Sequence, residues 1–231
     1  MIDLHGFGDQ LLAGAWMTAR LAVAAAIVGL ALGLLGATAK LSDWWPVRAL
    51  AETYTTVIRG LPELLVVLII YFGSSGVLTA VAGWFGHDGF VELSPFAAGI
   101  AALGLTFGAY ATEVFRGALL AIPSGQIEAA RAFGMGRLLA FRRIVLPQVW
   151  RIALPGLGNL FLVLLKDTSL VSVIGLEELM RKSSIAVGFT REPFTFYLAA
   201  ASLYLAMTVV TTAGLHYAER AARRGVPKAP A

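Results

Sequence analysis

Four uncharged runs, each about as long as a bilayer-spanning helix, constrain this chain more than any other feature. They cover residues 21–39, 64–86, 93–112 and 193–215, which is 19, 23, 20 and 23 residues, and the first extends upstream into residues 11–19. A helix rises about 1.5 Å per residue, so roughly 20 apolar residues cross a hydrocarbon core ~30 Å thick. A fifth run, residues 152–165, has only 14 residues and contains Pro155, Gly156 and Gly158. Among four clear spans it reads as an irregular fifth. Composition excludes the soluble alternative. Of 231 residues, 58% are hydrophobic and 14% charged, against roughly 25% charged in a soluble domain. The expected fold is all-α and integral to a membrane, with five transmembrane helices.

Orientation follows from Lys and Arg in short loops, which stay on the cytoplasmic side. Residues 1–10 carry neither. Lys40 and Arg48 follow the first span, and Arg116, Arg131, Arg137, Arg142, Arg143 and Arg151 face one acid, Glu128, across residues 116–151. The tail adds Arg220, Arg223, Arg224 and Lys228. The N-terminus is therefore expected outside and the C-terminus inside, which needs an odd number of spans. Arg20 is a charge within the first helix and is expected to snorkel to the outer interface. The net charge is +4, and the basic residues concentrate in the central loop and the tail, a topological pattern that argues against a nucleic-acid partner. The opening residues lack a basic stretch, and no cleavable signal peptide is expected. Gly29 with Gly33 and Gly104 with Gly108 repeat at small-xxx-small spacing, which is expected to serve internal helix packing.

Residues 122–147 form the most basic loop. Pro123 and Ser124 are helix-start signals and Gly134 is a stop, so a short helix is expected over 126–133. A second is expected over 137–144, closed by Pro147. Such a helix pair can seat its small-residue surface in a partner's groove. The plainer reading is a solvated loop with Glu128 paired to Arg131 at i,i+3. Glu128-Ala129-Ala130, three residues, Gly134, nine residues and Ile144-Val145-Leu146-Pro147 together resemble the EAA loop of ABC importer permeases. Arg59-Gly60-Leu61-Pro62, Glu113-Val114-Phe115-Arg116-Gly117 and Lys166-Asp167-Thr168-Ser169-Leu170 resemble further motifs of polar-amino-acid permeases. The resemblance spans nearly the whole chain. Leu4-His5-Gly6-Phe7 and Lys40-Leu41-Ser42 are most similar to the histidine and lysine/arginine/ornithine branch.

The resemblance implies one permease domain, residues 1–231, with the five-helix core of a type I importer in the bacterial inner membrane. It implies a second permease chain (homologous or identical), two ATPase subunits and a periplasmic or lipid-anchored binding protein. Glu128, Ala129, Ala130, Gly134, Ile144, Leu146 and Pro147 would form the ATPase-coupling element. The implied substrate is a polar, basic amino acid, with glutamine, glutamate or an opine as the alternative.

The chain has no G-x-x-x-x-G-K-[ST] loop, so ATP and Mg²⁺ belong to a partner, and this chain is expected to bind no cofactor. His5, His87 and His216 are far apart, no H-E-x-x-H motif is present, and no metal site is expected. An intramembrane enzyme would need a catalytic dyad or metal motif in a span, and none is present. An autonomous channel or secondary transporter would leave the loop pattern without a purpose. Ionisable groups at membrane depth are costly and mark candidate pathways. Arg59, Gly60, Pro62, Glu63, Lys166, Asp167, Thr168 and Ser169 are the candidates for a substrate pathway, with Glu52 a further buried charge. The structural alternative pairs Arg59 with Glu63 at i,i+4, or Lys166 with a carboxylate elsewhere.

Overall fold

The computed structural model describes residues 4–84, 89 and 92–222. The expectations for residues 1–3, His87, Arg223, Arg224 and Lys228 lie outside them. Five helical stretches among the described residues are long and apolar enough to cross a membrane. The helices are α1 (Gly8–Lys40), α2 (Trp45–Gly60), α3 (Glu63–Trp84), α4 (Pro95–Leu120), α5 (Ser124–Ala132), α6 (Arg137–Ala140), α7 (Leu146–Asp167), α8 (Leu179–Thr190) and α9 (Pro193–Ala222). A π-helical turn, Phe141–Val145, joins α6 to α7, and a 3₁₀ segment, Thr168–Ile174, continues α7.

The centre of the fold is the contact between α1 and α4, and small residues make it possible. A Cβ on Gly29 would lie 2.5 Å from the Phe107 ring and 2.9 Å from the Gly104 carbonyl oxygen. One on Gly33 would meet the Ala111 Cβ at 2.6 Å. Without a hydrophobic drive between helices in lipid, such backbone approach is how packing energy is gained. Around this pair lie Leu21, Ala25, Leu103, Phe107, Val149, Leu157 and Val171, all buried. A second cluster, Leu11, Leu179, Ala186, Phe196 and Ala200, joins the start of α1 to α8 and α9. By contrast α3 and α9 bury few of their residues fully within the chain, Val66 and Val67 in the one and Phe196 and Ala200 in the other.

The structure corrects several sequence expectations. The first span takes in the expected upstream extension, a 33-residue helix beginning at Gly8 whose first turns bury against α8. Pro155 does not disturb the fifth span. Leu146–Asp167 is α-helical throughout, and Gly156 and Gly158 admit the side chains of Val114 and Leu215. The irregular backbone lies at its two ends instead. Pro147 closes no helix: it follows the π-turn inside a helical stretch that runs unbroken from Arg137, and the wider turn before it takes up the hydrogen bond that its missing N–H cannot make. The expected helix over 137–144 is a single α-turn running into the π-turn. The helix expected over 126–133 runs from Ser124 to Ala132.

Candidate functional site: a two-carboxylate cavity and an exposed basic loop

The break between α2 and α3 begins with Pro62. A residue before proline is pushed out of the helical region, and Leu61 is extended at φ −98°, ψ 142°. The chain restarts as α3 at Glu63. Facing this break, α7 ends at Asp167, and the helix narrows to 3₁₀ geometry from Thr168. These two interruptions place Glu63 and Asp167 on one cavity of ≈ 260 Å³, otherwise lined by Leu103, Thr106, Phe107, Tyr110, Leu160, Val163 and Leu164. The cavity is apolar and aromatic apart from its two carboxylates, Thr106 and the Tyr110 hydroxyl. Such a lining holds an organic ligand while a few polar groups orient it.

The remaining pathway candidates divide. Arg59 stands at the rim, its guanidinium 5.3 Å from the centre of the Tyr110 ring. Gly60 and Pro62 are exposed beside it. Thr168 is buried, but its hydroxyl donates to the Leu165 carbonyl at 2.8 Å. Ser169 likewise donates to the Lys166 carbonyl at 2.8 Å. Both hydroxyls close the last turn of the helix rather than face the cavity. Lys166 is exposed, and so is Glu52, which is therefore not a buried charge.

The expected pairing of Arg59 with Glu63 does not occur among the described residues, because the extended Leu61 removes the helical register that i,i+4 requires. Arg59 turns to Glu113 instead, at 3.9 Å. Glu113 also accepts from Lys40 Nζ and from Arg116 Nε at 2.9 Å. One carboxylate thus ties the ends of α1 and α2 to α4. Sequence reading placed Glu113 in a motif but gave it no partner, since Lys40 is 73 positions away.

A second site was missed altogether. Glu178 is fully buried. Its carboxylate accepts from the Arg181 amide at 2.8 Å, the Met180 amide at 2.9 Å, the Tyr204 hydroxyl at 3.1 Å and the Thr18 hydroxyl at 3.4 Å. It caps α8 and pins it to α1 and α9. Burial pushes its carboxyl above the ordinary carboxylate range, against the pull of those four donors. An acid directly before Leu179 was the available signal, as a helix cap. Tyr54, on α2, donates to the Leu105 carbonyl at 2.7 Å, and burial raises its hydroxyl to about 12.

In the basic loop α5 ends on Gly134, which adopts φ +74°. Met135 N donates to the Ala130 carbonyl at 3.0 Å and Gly134 N to that of Arg131 at 2.9 Å, the pattern of a glycine-closed helix end. Glu128, Ala129, Gly134 and Pro147 are exposed, Ile144 and Leu146 are half-buried, and Ala130 is buried. No Glu128–Arg131 ion pair forms among the described residues. Gln148 Nε2 donates to Gln126 Oε1 and to the Ile144 carbonyl, fastening α5 to α7. Phe133 and Leu138, 85% and 72% exposed, project beside the Glu-Ala-Ala face. Large apolar side chains left bare on a rigid loop suit a protein contact.

Comparison with known proteins adds independent findings. The family described as "Binding-protein-dependent transport system inner membrane component" matches residues 15–224. The nopaline transport system permease protein NocQ of Agrobacterium fabrum is 47% identical over 222 residues, covering 96% of this chain and 94% of that protein. The arginine ABC transporter permease protein ArtQ of Escherichia coli is 46% identical, over 87% of this chain and 90% of that protein. The histidine/lysine/arginine/ornithine permease protein HisQ of the same organism is 42% identical, over 98% and 99%. A crystal structure of an amino acid ABC transporter with histidines superposes with a TM-score of 0.77 at 35% identity, over 92% of this chain and 94% of that one. The MetNI methionine ABC transporter, at 18% identity and a TM-score of 0.72, shares the fold.

Proposed function

Because the chain belongs to the family of binding-protein-dependent transport system inner membrane components, we propose that it passes a basic amino acid through the cavity between Glu63 and Asp167. It is a multi-pass inner-membrane permease of an amino-acid ABC importer, and ATP hydrolysis belongs to a separate subunit. The family implies a partner ATPase and a substrate-binding protein. The finer assembly is part of the proposal: residues 1–231 act as one permease domain, two permease chains form the pathway, and two ATPases drive it. A periplasmic or lipid-anchored protein delivers the substrate. Glu128, Ala129, Ala130 and Gly134 form the surface that enters the ATPase, with Ile144, Leu146 and Pro147 as its base.

The observation that carries the substrate reading is the pair of carboxylates on one small apolar cavity. Charge in such a place is costly unless a partner neutralises it. A cationic side chain supplies that partner and gains more there than in water, because screening is weaker. The names of the relatives, which include arginine and histidine/lysine/arginine/ornithine transporters, support the same class. In this proposal Arg59, whose guanidinium lies over the Tyr110 ring at the rim, meets the amino acid's own carboxylate.

The test is uptake by the complete transporter in proteoliposomes. Glu63→Gln should reduce arginine uptake at least tenfold, on the scale of one charge-assisted contact of about 1.5–3 kcal/mol, and glutamine uptake far less. Equal loss for arginine, histidine and glutamine would mean that Glu63 serves structure alone.

A further inference from the structure

Arg20 is exposed on a helix that is otherwise uncharged from Leu21 to Ala39. Its position along the helix is informative. Lys40 lies 40 − 20 = 20 residues further on, which at helical rise is about 30 Å, the thickness of a hydrocarbon core. The two cations therefore bracket the bilayer, and Arg20 stands at headgroup level in the leaflet nearer the start of α1. Lys40 at the other end is neutralised by Glu113. Arg20 has no carboxylate within ion-pair distance among the described residues.

What Arg20 does touch is Phe96, in the first turn of α4, with the guanidinium 5.7 Å from the ring centre. That contact holds the side chain over a groove of ≈ 390 Å³ between α1 and α4. One wall is the stripe Trp16, Arg20, Val23 and Ile27, at helical spacing. The floor is lowered by Ala19 and Ala24, and Phe96 closes the other side. Trp16, Val23 and Ile27 are 67%, 51% and 64% exposed, so the stripe faces outward. Trp16 lies one turn further from the membrane centre than Arg20, at the level where interfacial aromatics are favoured.

We propose that this groove is a binding site for an anionic phospholipid, with the headgroup phosphate on Arg20 and an acyl chain along Val23 and Ile27. The chemistry is complementary at both ends. A bidentate guanidinium suits phosphate oxygens, and an apolar channel directed toward the bilayer centre suits a hydrocarbon tail. An Arg that only snorkelled to water would need neither the ring that orients it nor the small residues beneath. A partner protein surface would have to bring its own acid to lipid depth, whereas the leaflet already supplies one.

The experiment is native mass spectrometry of the purified complete transporter, titrated with phosphatidylglycerol or phosphatidylcholine. The wild type should retain phosphatidylglycerol preferentially. Arg20→Gln should cut that retention about fivefold, the scale of one basic residue at a charged leaflet, and phosphatidylcholine retention less, because the choline cation offsets its phosphate. Arg20→Lys should keep most of it. Ala24→Phe, which fills the groove but leaves the cation, should reduce retention of both lipids. Undiminished phosphatidylglycerol retention by Arg20→Gln would overturn the proposal, as would the absence of any headgroup preference in the wild type. So would crosslinking of Val23→Cys to a second permease chain in native membranes, since the groove would then be a protein interface. The chain contains no cysteine, so that crosslink is unambiguous.

Discussion

At the scale of single residues, two carboxylates hold elements together that sequence separation keeps far apart. Glu113 faces three cations, but unequally: Lys40 and Arg116 are hydrogen-bonded to it, whereas Arg59 is 3.9 Å away and 43% exposed. Glu113→Gln should therefore lower the stability of the purified transporter by about 1.5–3 kcal/mol, as expected when charged donors lose their acceptor. Arg59→Gln should cost under about 1 kcal/mol, the scale of an exposed pair. Thermal unfolding of both variants checks the ranking. Glu178 answers to pH as well. Its folded carboxyl sits above the ordinary range because of burial, so the folded state holds the proton more firmly than the unfolded one. The stability this contributes is complete below the unfolded carboxylate's pKa and is lost as pH rises through the folded value. Glu178→Ala should remove that slope. It should also destabilise the fold by about 2–4 kcal/mol at acid pH, since two amides and two hydroxyls lose their acceptor in a buried site. Melting curves across the acid range, with and without the substitution, give both results.

Among the elements, α5 is the one whose end decides its use. Gly134 terminates it in a left-handed conformation with nothing within 4 Å of where a Cβ would lie. Local crowding is therefore not what requires glycine; backbone conformation is. Gly134→Val should unwind this end, since a β-branched residue is a strong outlier at positive φ. It should reduce co-purification of the ATPase about tenfold while membrane insertion is unchanged. Gly134→Asn, which tolerates that conformation, should retain most of the binding. Pull-down of the ATPase with each variant makes the comparison. If Val binds as well as glycine, the loop end is not part of the coupling surface.

For the whole molecule the prediction is topological. Residues 5 and 192 meet, His5 Nε2 lying 3.4 Å from Glu192 Oε1, so they share one side of the membrane. The basic loop around Glu128 should be on the other. Single cysteines at positions 192 and 128 in the cysteine-free chain should be labelled by an impermeant reagent from outside and only after permeabilisation, respectively. Labelling of position 128 in intact cells would invert the orientation proposed for the permease. α3 and α9, which bury few of their residues within the chain, are the elements we propose for contact with lipid and with a second permease chain.

Much of this could be read before any coordinates. Apolar run length reports four spans because the bilayer imposes that length on any sequence, and the short run 152–165 reads as a fifth only from its place among them. The Pro62 break, the Gly134 stop and the small-residue spacing in α1 and α4 are likewise local, set by what each backbone position can adopt. The sequence motifs also pointed to the family and its loop. Side-chain partnership was not legible. Arg59 looked paired with Glu63 on spacing alone, but one extended residue between them sent it to Glu113. Glu178 stood out in no sequence pattern, yet α1, α8 and α9 close around it. The cavity joins Glu63 and Asp167, which are 167 − 63 = 104 positions apart. Local rules act through a few neighbouring dihedrals, whereas which distant carboxylate meets which cation depends on how whole helices pack, and only the tertiary structure decides that.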